Sequence, residues 1–490
     1  MILRQESSAE RWACLDTKTD QVPRQFIMEK KLNDLIESYQ EDMIADLKRL
    51  VRIPSIFDPD TAGPGAPFGQ GARDVLDEVI KISEELGFEA KDYDGYAASV
   101  RYGSSGREVG MLCHADVVPV DDNWLTDPFD PVIKDGRMYG RGTVDDKGPL
   151  ISAMYAMKAI KESGLELDGH INHIIGCNEE TGHECIKYYL TKEKCPDIGF
   201  SPDGSFPVIH AEKGIIRYTI THPVEQADGT AVIVKKIVGG TVVNAVPNLA
   251  KVWLKGSKEA LQEVADSFGG EHAWEDGALV LSFTGVSAHS MQPWLGKNAI
   301  LPMLAFMKDV NGLSDDAKKF FTSLDSLYAD GWEGKNIGIA CEDQLSGKLT
   351  MNLGVIRFEN GISELKVDLR CPVHIDLEQI WKTTDINCQK YGFHPVYWQM
   401  RPPLYIPKEA PLVETLLGVY NEMTGEKAEA ITIGGGTYCR DVTNFVSFGP
   451  VFPYEKELAH EANEFIGIKE FIMASKLYAQ ALYALLRPEV

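Results

Sequence analysis

The sequence predicts an α/β protein whose sheet domain is interrupted by an inserted α+β domain. Three observations carry that expectation. Short apolar runs alternate with helical patterns through the first part of the chain. After Glu212 the texture changes to longer strands with period-two alternation, and helical patterns return near Pro402. A chain of 490 residues is also too long for one ordinary domain.

The elements follow in order. Over 30–51 apolar residues recur at helical spacing (Leu32, Leu35, Ile36, Tyr39, Met43, Ile44, Leu47, Leu50), and Pro54 closes the helix. The Gly- and Pro-rich stretch 58–71 reads as a loop, and a second helix over 73–86 stops at Gly87. Apolar runs at 108–113, 171–177 and 198–201 read as buried strands, separated by helices over 149–163 and 184–193. Each of the three runs is followed at once by polar, acidic residues. Open α/β sheets bind ligands beyond the carboxyl ends of their strands, so this order already implies a shared site. In the insertion, 215–221, 231–238, 249–254, 279–284, 348–357 and 362–369 read as strands, with helices over 258–268 and 298–310. Helices over 411–423 and 469–486 and a glycine turn at 434–436 complete the first domain. The predicted division is 28–212 with 400–490 for the sheet domain and 213–399 for the insertion. Residues 1–27 are polar and unpatterned, and read as an extension upstream of a natural start at Met28.

Composition excludes several classes. Hydrophobic content of 44% and charged content of 25% are those of a folded globular chain. A net charge of −24 argues against nucleic acid or an anionic membrane as partner. No apolar stretch approaches the ~20 residues of a membrane span, and no signal peptide opens the chain. Nine cysteines without a CxxC pair fit a reducing compartment, hence a cytoplasmic protein, better than a disulfide scaffold.

Four segments and one histidine carry candidate chemistry. His114-Ala115-Asp116 follows the first strand: an imidazole is a good metal ligand, and a nearby carboxylate can hold its tautomer. Asp145-Asp146 in Gly140-Arg141-Gly142-Thr143-Val144-Asp145-Asp146-Lys147 precedes a helix. Such aspartates can cap the helix, but one carboxylate can also bridge two cations through its two oxygens. Neighbouring Glu179 and Glu180 repel each other unless a cation separates their roles, one binding it and the other acting as a base. Asp203, in Ser201-Pro202-Asp203-Gly204, ends the third strand, and His460 lies in Ala459-His460-Glu461-Ala462-Asn463-Glu464. Each segment alone has a bland structural reading as a turn, a cap or a solvated surface. Together they form a ligand set suited to Zn²⁺, Mn²⁺ or Co²⁺.

The order of these motifs resembles that of the M20 metallopeptidases. The branch most similar is the PepV-type dipeptidases, through 139–149 (YGRGTVDDKGP), 201–207 (SPDGSFP), 432–440 (TIGGGTYCR) and 459–466 (AHEANEFI). The resemblance covers the chain from about Met28 onward. It implies a two-metal catalytic domain with an inserted α+β lid. His114 and Asp203 would bind one ion, Glu180 and His460 the other, and Asp145 would bridge. The family pattern, not physics, chooses Asp145 over Asp146, which would support the site or cap the helix. Asp116 would orient His114, and Glu179 would be the general base toward a metal-activated water. In the lid, His289 of Ala288-His289-Ser290 would stabilise the oxyanion, Asn244 would bind substrate and Arg370 would clamp its carboxylate. The backbone of Gly435, Gly436 and Thr437 would lie near that carboxylate. The implied activity is hydrolysis of unblocked dipeptides by a monomer with two ions, Zn or Mn, with Co a third choice. The metal machinery is equally compatible with an amidohydrolase that deacylates N-acyl or N-succinyl amino acids. A metal-dependent peptide-binding protein is the non-catalytic reading, and Glu179 speaks against it.

Overall fold

A computed structural model describes residues 29–226, 229–456 and 458–488. The expected extension over 1–27 and the start at Met28 lie outside the described residues. Two separate apolar cores form around two separate sheets.

The first sheet has nine strands. Its centre is parallel: Arg107–His114 runs between Gly169–Gly176 and Ile198–Ser201, and Phe445–Ser447 extends the parallel set beyond Ile198–Ser201. These strands are buried on both faces, as their continuous apolar runs require. Helix Lys147–Ser163 is apolar almost all round and packs against the terminal helix Ile468–Leu486 over the sheet. Gly148 in its first turn is needed for close approach: a Cβ there would lie 2.1 Å from the Thr143 carbonyl oxygen.

The second sheet has eight strands, each adjacent pair antiparallel. Helices Lys258–Ser267, Ile300–Met307 and Asp315–Tyr328 share its core through residues such as Leu261, Met303 and Phe321.

Three differences from the expected elements have physical causes. The first helix is two, Lys30–Ser38 and Gln40–Val51. They meet at Tyr39, whose ring packs on Tyr155 and whose hydroxyl donates to Glu162. The antiparallel hairpin of Glu89–Tyr93 and Ala97–Tyr102 was not anticipated, because its outer strand is mostly exposed and lacks an apolar run. Helices Asp315–Tyr328 and Leu377–Gln389 were also missed, although each opens on a capping side chain, Ser314 and Asp376.

The two passages of the chain between sheets lie side by side. Ile209–Glu212 leads into Gly214–Pro223, and Pro395–Arg401 returns into Leu404–Tyr405. One guanidinium ties both: Arg440 donates to buried Glu212 (2.6 Å), to the Lys213 carbonyl (2.7 Å) and to the Pro402 carbonyl (3.3 Å). All eight cysteines among the described residues are free, and no helix among them is long and apolar enough to cross a membrane.

Candidate metal centre

Three adjacent parallel strands deliver the site. His114 is the last residue of the middle strand, the Asn178-Glu179-Glu180 turn follows Gly169–Gly176, and Asp203 follows Ile198–Ser201. Asp145 enters from the loop before helix Lys147–Ser163, and His460 from the loop before Phe465–Gly467.

Asp145 joins the two histidines. Its Oδ1 lies 3.0 Å from His114 Nε2, and its Oδ2 lies 3.1 Å from His460 Nε2. Asp203 Oδ2 stands 4.0 Å from His114 Nε2, and Glu180 Oε2 stands 3.0 Å from His460 Nε2. One carboxylate thus turns an oxygen toward each half of the cluster. Ligand atoms of His114, Asp145 and Glu180 lie within 4.8 Å of one another, as do those of His114, Glu179 and Asp203. Glu180 therefore reaches both halves, and Glu179 faces the same centre as the ligands. Imidazole and carboxylate donors converging in this way fit borderline-hard divalent cations.

The surrounding groups lock this geometry. His114 Nδ1 lies 3.0 Å from the Asp116 carbonyl oxygen and 3.5 Å from its carboxylate, so the backbone makes the closer contact. The Asp116 carboxylate instead accepts the N–H groups of Glu179 and Glu180, both at 3.1 Å, and so ties two strand ends together. Asp146 makes no side-chain cap to its helix and accepts the His114 N–H at 3.0 Å, which favours support of the site over capping. Buried Glu464 accepts the N–H groups of Gly142, Val144 and Asp145 and pairs with Arg141. Arg141 also donates to the carbonyls of His460 and Glu461. One ion pair therefore holds the loops of Asp145 and His460 in register.

The electrostatics are those of carboxylates and imidazoles crowded together. Burial, then the charge of Asp145, pushes Glu180 up to about 7. Burial also pushes Asp203 well above the usual carboxylate range, with Glu179, Asp145 and Glu180 adding to it against His114. Asp145 goes the other way: burial raises it, but its bonds to His114 and His460 outweigh that and hold it low. Burial lowers His460, yet Asp145 and Glu180 carry it to about 11; its ring is over half exposed but faces both carboxylates. His114 is likewise lowered by burial and raised further by Asp116 and Asp145. Carboxylates this close need a cation or a proton between them.

The lid residues reach the same cleft to different degrees. His289 Nδ1 accepts the Met291 N–H at 3.1 Å, leaving Nε2 as the donor. Desolvation, then Arg370, depresses its pKa to about 4, with Arg217 and His460 adding, so the ring is neutral. It is exposed to water in the cleft yet enclosed by these groups. Half-buried Asn244 lies beside it, its carbonyl accepting the Ser290 N–H. Arg370 is buried and forked onto Asp368 through Nε (2.7 Å) and Nη2 (3.1 Å), while Nη1 donates to the Gly434 carbonyl. Its fork is thus partly engaged before any ligand arrives. Met291 covers the glycine turn: a Cβ at Gly434 would lie 2.9 Å from Met291 Cβ. Gly435 gives its carbonyl to Arg440, and Thr437 donates both N–H and hydroxyl to Glu212. Thr437 is therefore tied toward the domain crossing through its N–H and hydroxyl.

Four contributors were not read from the sequence: Glu464, His183, Asp441 and Arg401. His183 lies 3.0 Å from Glu179 through Nε2 and bonds Asp441 through Nδ1. Burial lowers its pKa, but Glu179 and Asp441 carry it to about 9. Its spacing of four residues after Glu179 was the available signal. For Asp441, which follows directly on the 432–440 segment, none stood out.

Residues 110–484 match Peptidase family M20/M25/M40. A Bacillus subtilis (strain 168) protein provisionally named dipeptidase YtjP is 38% identical over 458 residues, 91% of this chain and 97% of its own. A Staphylococcus epidermidis protein, also provisionally named a dipeptidase, is 35% identical over 91% of this chain and 97% of its own. Human carnosine dipeptidase 1 superposes with a TM-score of 0.59 at 17% identity, covering 93% of this chain and 98% of that one. The Saccharomyces cerevisiae dipeptidase Dug1p gives 0.58 at 17% identity, covering 94% and 99%. The structural likenesses establish the fold. The chain belongs to peptidase family M20/M25/M40, a metal-dependent hydrolase family, and its cluster fits divalent metal ions.

Proposed function

We propose that this chain is a dinuclear metallodipeptidase that hydrolyses the peptide bond of unblocked dipeptides. The observation that carries the reading is Asp145, with one oxygen toward His114 and the other toward His460. Relatives over almost the whole chain that carry the name dipeptidase support the substrate class.

His114 and Asp203 would hold one ion, Glu180 and His460 the other, and Asp145 both, with Zn or Mn as the metal and Co as a third choice. When bound, such ions lower the pKa of water toward neutrality and polarise the scissile carbonyl. Glu179, facing the centre, takes the proton of the attacking water and passes it to the departing amine. Asp116 keeps Glu179 and Glu180 in place through their N–H groups. His289 donates through Nε2 to the developing oxyanion. Arg370, with Asn244 and the turn of Gly435 and Gly436, receives the substrate carboxylate; Thr437 anchors that turn. Residues 213–399 act as the lid on a catalytic domain of 28–212 and 400–490. The protein works as a monomer in the cytoplasm.

The test is hydrolysis by metal-reconstituted protein of one matched pair, a free dipeptide and its N-acetylated counterpart. Rapid cleavage of the free dipeptide alone is expected. Preference for the blocked compound would replace the dipeptidase with a deacylase on the same metal centre.

A further inference from the structure

Glu179 is a base with two chemically equal oxygens, and only one can face the attacking water. A carboxylate free to rotate divides its time between poses, and orientation alone can be worth orders of magnitude in rate. The structure supplies a device that removes this freedom.

We infer that His183, oriented by Asp441, is a positioning residue that fixes one oxygen of Glu179 and leaves the other for the reaction. The inference rests on Glu179 being the base. His183 Nε2 lies 3.0 Å from Glu179 Oε1, and its Nδ1 is bonded to Asp441. Both ring nitrogens are thus committed to carboxylates, and the residue is only 4% exposed. Glu179 nonetheless still brings a carboxylate oxygen within 4.8 Å of the ligand atoms of His114 and Asp203.

The ring cannot turn away. The His183 backbone is held in the left-handed region (φ 65°) at the mouth of helix Glu184–Lys192. Its N–H donates to the Asn178 carbonyl at 2.7 Å, while the Asn178 side chain accepts the Glu184 N–H at 3.0 Å. The ring stands edge-on to buried Tyr438, with centroids 5.1 Å apart. Arg401, the last residue of strand Pro395–Arg401, places Nη1 3.2 Å from His183 Nε2 and 3.4 Å from Nδ1 and closes the remaining side. The arrangement repeats the logic by which a carboxylate aligns the histidine of a catalytic triad, with base and orienter exchanged.

The experiment compares metal-reconstituted wild type with His183→Ala, His183→Gln, Asp441→Asn, Glu179→Ala and the double variant Glu179→Ala/His183→Ala. The readouts are kcat, KM and bound metal, with a free dipeptide as substrate. His183→Ala is expected to lower kcat about ten- to a hundredfold with KM and metal content unchanged. His183→Gln, whose amide N–H can reach the same oxygen, should recover most of that loss. The double variant should be no slower than Glu179→Ala, because a residue acting through Glu179 has nothing left to position. If His183→Ala fails to fold, Asp441→Asn gives the same reading: a lower kcat at unchanged KM supports the inference, and a wild-type kcat overturns it. A wild-type kcat in His183→Ala, or a loss that persists undiminished in the Glu179→Ala background, also overturns it. Full activity in Glu179→Ala would instead overturn the base assignment itself.

Discussion

The two halves of the molecule build function in opposite ways. In the parallel-sheet half, functional side chains stand at the ends of neighbouring strands, and buried hydrogen bonds lock them. Asp116 clasps Glu179 and Glu180, and Glu464 with Arg141 clasps the loops of Asp145 and His460. In the antiparallel half, His289 sits exposed in a loop and Asn244 is only half-buried; Arg370 alone is deeply held. The rigid half suits groups that must hold cations at fixed separations. The open half suits groups that meet a substrate which comes and goes.

Substitutions can break or sharpen this contrast. The largest effect is expected at Asp145, whose two oxygens face His114 and His460. Asp145→Ala should abolish detectable turnover and reduce bound metal, measured by elemental analysis after desalting, while the fold survives. Full metal content in that variant would show the two parts to be independent. Next is Arg370→Lys on the lid side, which keeps the charge but loses the fork onto Asp368 and the reach to Gly434. It should raise KM roughly tenfold with a smaller change in kcat, as expected of a residue that binds substrate rather than takes part in the chemistry. A fall in kcat at constant KM would instead move Arg370 into the chemistry.

The smallest effect concerns stability and belongs to the rigid half alone. His173, in the centre of strand Gly169–Gly176, is fully buried, neither ring nitrogen has a hydrogen-bond partner, and burial lowers its pKa to about 3. The unfolded imidazole takes up a proton near its ordinary ~6.5, whereas the folded one resists until about 3. Stability from this residue is thus complete above about 6.5 and falls as pH drops toward 3, by at most a few kcal/mol. His173→Leu should flatten the acid limb of a plot of Tm against pH between those limits. An unchanged slope would show that other groups govern it.

Much of the rigid half was legible because its chemistry and its secondary structure coincide in sequence. Apolar runs ending in His114, Glu179-Glu180 and Asp203 announce both the strands and the candidate site, since buried parallel strands must be continuously apolar and their carboxyl ends must be polar to bind anything. Asp145 was legible only through family pattern: nothing in a Val-Asp-Asp-Lys stretch tells which carboxylate faces the cleft. In the structure the Asp146 carboxylate accepts the His114 N–H while Asp145 faces His114 and His460, an arrangement that favours the family reading. Glu464 and Asp441 escaped because each acts on a partner far away in sequence, and charge spacing carries no record of such contacts; His183 did leave a signal, its spacing of four from Glu179, but its second partner Asp441 is distant. The interruption at Tyr39 left no trace in the apolar spacing; it coincides with contacts of Tyr39 to Tyr155 and Glu162, far along the chain. In the lid, the strands were readable by alternation. Two helices are marked in sequence chiefly at their starts, by the capping side chains of Ser314 and Asp376, a shorter signal than strand alternation.

The Arg440 guanidinium has a mechanical meaning. Two polypeptide connections between halves would ordinarily act as separate tethers, allowing the lid to slide or shear as well as swing. Here the carbonyls of Lys213 and Pro402 hang from one planar cation that buried Glu212 holds in place, and the same cation grips Gly435. The two tethers become a single joint, so a displacement of one half against the other would be resisted as sliding and directed to rotation through that point. The glycine turn is bound to the same joint through the Gly435 carbonyl.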